Sequence, residues 1–159
     1  EGIMDAKEGA GNEMLFDPSE KVSRLEFLVC AMDAFGAGNI PSSSDAGFAD
    51  TDTIPEKHRG YVSAAKSLGI VSGVNEGGRM YFRGDEEITY AQAAVILNRI
   101  IGLESDGTKS LSADVPEWAY RDVCALTENG ILDPYCNVSA SVDRAGCAQI
   151  VCEAVRFFD

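Results

Sequence analysis

The chain has little of what metal binding and proton transfer need: a single histidine, His58, in 159 residues. That scarcity removes most zinc sites and most catalytic triads, which draw on histidine as ligand or base. The five cysteines fit no CxxC pattern, and their odd number leaves at least one without an intrachain partner. Positive charge is also scarce, with 13 Lys and Arg against 26 Asp and Glu and a formal net charge of −13. Such a balance repels nucleic acid and anionic membrane, and no basic stripe offsets it. No apolar run approaches the roughly 18 residues of a membrane span, so membrane insertion is not expected. No signal peptide is visible. Position 1 is Glu rather than Met, and the chain reads as a piece of a longer protein with domains outside it. Neither a nucleophile–base pair nor a metal cluster is evident, so we expect no catalysis, no cofactor and no metal. The acidic run Asp50-Thr51-Asp52 lacks the ligand ladder and closing Glu of an EF-hand. Gly77-Gly78 and the stretch Gly9 to Gly11 are not followed by Lys-Ser/Thr, so they read as turns rather than phosphate loops.

What is present is repetition. Three Gly-Ile pairs occur, at Gly2-Ile3, Gly69-Ile70 and Gly130-Ile131. The last two close helices expected over Tyr61 to Leu68 and Tyr120 to Asn129, because glycine can take the left-handed conformation that ends a helix. Pro55-Glu56 and Pro116-Glu117 lie upstream, where proline suits a first turn. Farther along, Val22-Ser23-Arg24, Ile88-Thr89-Tyr90 and Val142-Asp143-Arg144 share one pattern: an apolar residue, a capping residue, then a helix start. Ser23, Thr89 and Asp143 can each accept from first-turn amides. Glu26 and Gln92 complete capping boxes, and Gly146 does not.

Aligned on these caps, the three helices share five apolar columns: Phe27/Ala93/Cys147, Cys30/Ile96/Ile150, Ala31/Leu97/Val151, Ala34/Ile100/Ala154 and Phe35/Ile101/Val155. The spacing is one continuous helical face, and the charged column Asp33/Arg99/Glu153 lies off it. Three such faces can bury one another as no single unit could alone, with Cys30, Ile96 and Ile150 meeting near a common axis. The Gly-, Ser- and Asp-rich stretches Ala37 to Gly47 and Glu104 to Ser112 read as linkers.

The order of these signals resembles the S-layer homology family. The second unit reads Phe48-Ala49-Asp50, a helix, Gly69-Ile70-Val71-Ser72-Gly73, Phe82, then Ile88-Thr89-Tyr90-Ala91-Gln92. The third reads Ala113-Asp114-Val115-Pro116-Glu117-Trp118, a helix, Gly130-Ile131, then Val142-Asp143-Arg144-Ala145. The first begins only at Gly2-Ile3 and continues through Phe16-Asp17-Pro18 to Ser23-Arg24-Leu25-Glu26. We therefore divide the chain into a partial repeat over 1–36 and repeats over 48–103 and 113–159. The resemblance implies an all-α fold, a pseudo-threefold assembly of helix–loop–helix repeats around a central three-helix bundle. It also implies a bacterial, extracellular module that anchors its parent protein to the cell wall by binding a secondary, pyruvylated wall polysaccharide in grooves between repeats. The alternative is a degenerate module kept for protein–protein or structural contacts at the cell surface.

In the family, the arginine opening the second helix contacts the pyruvyl carboxylate, which points to Arg24 and Arg144. A guanidinium there can fork onto a carboxylate beside unpaired amides and the positive end of the helix dipole. Ser23 and Asp143, which directly precede these arginines, are expected to share in the glycan contact. Trp118 is either a sugar-stacking platform or a packing anchor. Tyr90 takes the arginine position in the second unit, so that position lacks its anion clamp. Asp50 and Asp114 are expected to be turn or cap residues, Asp85-Glu86-Glu87 a solvated turn, and His58 a surface helix residue. Cys136 and Cys147 occupy columns held by Phe16 and Phe27 in the first unit. Either they bridge to close the shortened third loop, or both are small buried thiols.

Overall fold

The computed structural model describes residues 7–8, 14–15, 17–39, 45–107, 111 and 114–158. The Gly2-Ile3 pair, Gly9 to Gly11, Phe16, Ala113 and parts of both linkers lie outside the described residues. Five α-helices are described: α1 Arg24–Ala34, α2 Glu56–Ser67, α3 Tyr90–Ile101, α4 Tyr120–Glu128 and α5 Arg144–Phe158. The starts of α1, α3 and α5 coincide with the three expected starts. The all-α expectation needs a correction, because two antiparallel hairpins are also present. β1 Lys7–Glu8 pairs with β2 Met14–Leu15, and β3 Val74–Glu76 pairs with β4 Arg79–Tyr81. The second hairpin turns on Gly77 and Gly78, whose φ values of 56° and 83° match the twist that tight hairpins require.

The caps form as the residue types dictate. Ser23 accepts from Glu26 N–H and Thr89 from Gln92 N–H, and both capping boxes are closed. Asp143 Oδ1 accepts from Gly146 N–H at 2.8 Å, and glycine has no side chain to return the second bond. α2 and α4 end alike. Ile70 N–H reaches Ala65 O at 2.8 Å, and Ile131 N–H reaches Leu126 O at 2.9 Å. The intervening Gly69 and Gly130 have φ of 73° and 74°, the left-handed cap that the Gly-Ile pairs foretold.

The apolar residue before each cap joins the three helix starts directly. Val22 N–H donates to Val142 O (2.9 Å), Val142 N–H to Ile88 O (2.8 Å), and Ile88 N–H to Val22 O (3.0 Å), closing a ring. Lys21 pairs with Asp143, Ser23 with Glu87, and Thr89 with Ser141 around the same ring. Val22, Ile88 and Val142 are at most 1% exposed, so these amides need partners within the protein, and each unit supplies its neighbour's.

Beneath the ring, α1 packs on α2, α3 and α5, and α3 packs on α4. The first three apolar columns are buried in every copy, with Cys30, Ile96 and Ile150 in one continuous core. The last two columns are half-buried apart from Ala154, so the shared face opens toward the helix C-termini. Arg99, off that face, donates to Ile70 O at 3.2 Å and so ties α3 to the end of α2.

Candidate functional site

Each of α1, α3 and α5 begins against the loop of another unit. The first two amides of α1 donate to Glu86 O (2.8 Å) and Gly84 O (3.0 Å). Those of α3 donate to Ala140 O (3.0 Å) and Val138 O (2.8 Å), and those of α5 to Glu20 O (2.9 Å) and Pro18 O (3.0 Å). The third amide of each helix goes to the cap side chain. The unpaired amides expected beside Arg24 and Arg144 are therefore not there: carbonyls of the adjoining unit occupy them. Any anion selectivity at these three niches must come from side chains.

Arg24 is the side chain best placed to supply it. Its guanidinium carbon lies 5.7 Å from the centroid of the Phe82 ring. Phe82 is fully buried and meets Phe48 at 5.8 Å, and Lys66 Nζ covers the far ring at 4.2 Å. The arginine thus lies over a pair of packed, mutually tilted rings. Its Nε is buried and meets no acceptor among the described residues. Burial pushes its pKa down, partly offset by nearby Glu86 and reinforced by Arg99. Asp50 holds the stack from below, accepting from Phe82 N–H at 2.8 Å and Arg83 N–H at 2.7 Å. Asp50 is structural, as expected, whereas Asp114 is exposed.

The remaining candidates are dispersed. Arg144, the other arginine to which the resemblance points, is only 4% exposed. It lies close enough to Asp17 to help lower that carboxyl's pKa, behind the Ser19 hydrogen bonds that dominate the shift. Ser23 and Asp143 spend side-chain oxygens on helix caps, and Asp143 Oδ2 also lies 4.0 Å from Lys21 Nζ. Trp118 is 59% exposed on a short turn packed against α3, which rules out a buried packing anchor. His58 is half-buried on α2 with its ring edge-on to Tyr61. The Cys136–Cys147 bridge is not formed, and none of the five cysteines is in a disulfide. Cys147 faces inward instead, its sulfur 3.9 Å from that of Cys30 on α1, because its column points to the helix core rather than the loop.

Phe48, Phe82, Lys66 and Glu86 were absent from the expected site. Phe82 stood out only as a repeat marker, and nothing local tied it to Arg24, whose neighbours come from another unit. An open cleft of about 710 Å³, lined by Asp45, Asp52, Arg59 and Arg79, also escaped notice. Among the described residues, no three His, Cys, Asp or Glu side chains group to hold a metal. No described helix is long and apolar enough to cross a membrane.

Helices that bury a shared face and exchange backbone bonds at their starts form one interlocked helical scaffold. Residues 47–94 match the family model of the S-layer homology domain, a stretch running from Phe48 through α2 and the second hairpin into α3. Domains of this family generally anchor proteins to cell wall polysaccharides and are typically non-catalytic. No curated protein matches the chain.

Proposed function

We propose that this chain is a non-catalytic bacterial cell-surface module. Three S-layer homology units, the first incomplete, form a pseudo-threefold assembly that binds a pyruvylated secondary wall polysaccharide between units. The observation that carries the reading is Arg24: a half-buried guanidinium on an aromatic stack, with an unsatisfied Nε, at a junction between units. A ketal carboxylate supplies what that group lacks, two coplanar oxygens for a forked, charge-assisted pair. The backbone ring through Val22, Ile88 and Val142 supports the cyclic arrangement. Exposed Trp118 offers a ring face to a sugar. A net charge of −13 gives no long-range attraction to an anionic polymer, so recognition rests on local contacts.

The test is co-sedimentation with purified wall polysaccharide, native and after mild acid removal of pyruvate. Retention on native polymer, lost with depyruvylation and weakened in Arg24→Ala, is the expected result. Equal retention on both polymers would overturn the ketal, and no retention on either would overturn the anchoring role.

A further inference from the structure

The three helix starts differ in one respect that reaches beyond a single residue. Arg24 opens α1 above Phe82, whereas Tyr90 opens α3 with its hydroxyl against Gly146 of α5, and with Asp143, Cys136 and Cys147 near enough to act on the phenol electrostatically. Cys136 is the counterpart of Phe82, so the larger aromatic ring has moved from the loop to the helix start. A third position follows suit. The third residue of the helix is Glu26 in α1 and Gln92 in α3, each with a long side chain closing a capping box, but it is Gly146 in α5. A methyl group built on Gly146 would overlap the Tyr90 hydroxyl and stand 3.0 Å from Tyr90 Cζ. Its distance from Asp143 Oδ1 would be 3.3 Å. The phenol therefore takes up room that the third side chain claims in the other two helices. Burial, chiefly, and the neighbouring Asp143 push the Tyr90 pKa up, so the ring is neutral at physiological pH.

We infer that Tyr90 is a built-in occupant that closes its niche to carboxylate ligands, with Gly146 and Cys136 as the small residues that admit it. This rests on the wall-glycan reading for its ligand and makes Tyr90 a specificity-determining residue of the module. A neutral phenol has one O–H to donate and no charge, so it cannot replace the guanidinium fork. Asp143 beside it repels any anion that approaches. The grooves are thus unequal by construction, and of the three helix starts the half-buried Arg24 is the one left to read a ketal.

Two measurements test this independently. The first is a thermal double-mutant cycle on the whole chain. Gly146→Ala should lower Tm by several degrees with Tyr90 present. In a Tyr90→Ala background the same change should leave Tm unchanged or raise it, since alanine favours helix over glycine. Equal shifts in both backgrounds would overturn the steric pairing. The second is titration with a monosaccharide bearing a pyruvate ketal and with its methyl ester. Tyr90→Arg combined with Cys136→Phe should take up one more equivalent of the acid than the unaltered chain, and none of the ester. A folded double variant with unchanged stoichiometry would overturn the gating role. If the unaltered chain binds no ketal and the double variant gains a site, the wall-glycan reading fails while the role of Tyr90 stands.

Discussion

Replacing Arg24 with Met separates ligand recognition from folding more sharply than any other change in this molecule. Methionine keeps an unbranched apolar chain over Phe82 and removes only the charged head. On the stability side, the variant loses a cation–π contact at 5.7 Å, about 0.5–1 kcal/mol. It also removes a buried Nε that meets no acceptor, whose desolvation costs about 1–3 kcal/mol. The two roughly offset, so unfolding free energy should stay within about 1 kcal/mol of the parent or rise. On the binding side nothing offsets the loss. A charge-assisted contact contributes about 1.5–3 kcal/mol, which predicts a Kd weakened about 10- to 150-fold. Urea unfolding followed by circular dichroism gives the first quantity, and calorimetric titration with pyruvylated glycan gives the second. A stability loss above about 2 kcal/mol at unchanged m-value would refute the reasoning, because the guanidinium would then be part of the scaffold. So would an unchanged Kd.

Asp50→Ala should cost about 2–4 kcal/mol, since it strips the acceptor from two amides under the aromatic stack. Asp114→Ala, at an exposed position, should cost under about 0.5 kcal/mol in the same urea titration. Val142→Pro removes the N–H that reaches Ile88 O at 2.8 Å, and should cost about 3 kcal/mol or more, read as a fall in Tm. Tyr61 donates to Asp33 Oδ1 at 2.7 Å, and that bond, with burial, lifts its phenol pKa above its ordinary value. Its stabilising contribution is whole below about pH 10 and is lost as pH rises through the folded value, so Tyr61→Phe should flatten the alkaline limb of a Tm–pH profile.

The helical frame was legible because it is written in short-range chemistry. Ser23, Thr89 and Asp143 announce helix starts by what their oxygens accept, and Gly69 and Gly130 announce ends by the backbone they permit. The shared apolar face was legible because its period survives three copies. The hairpins were not, because β3 and β4 are three residues each, too short for an alternation to stand out. The choice between a Cys136–Cys147 bridge and two thiols stayed open for a related reason. Column alignment said which residues are equivalent, but not whether Cys147 points to its own loop or across to Cys30.

The site was half legible, and the missing half concerns the order of units around the ring. A cap predicts free amides at a helix start only if nothing else arrives to accept from them. Here each start meets a neighbour's loop, and the amides that favour an anion in an isolated helix instead join unit to unit. Backbone and side chain at these positions consequently do separate work. The Arg24 amide bonds to Glu86 O across the junction, while its half-buried guanidinium lies over Phe82. The Tyr90 amide does the same through Ala140 O, yet its side chain turns into the space beside Gly146. The backbone bond at that first position excludes proline, and the side chain, with the room its neighbours leave it, decides whether the niche can read a charge.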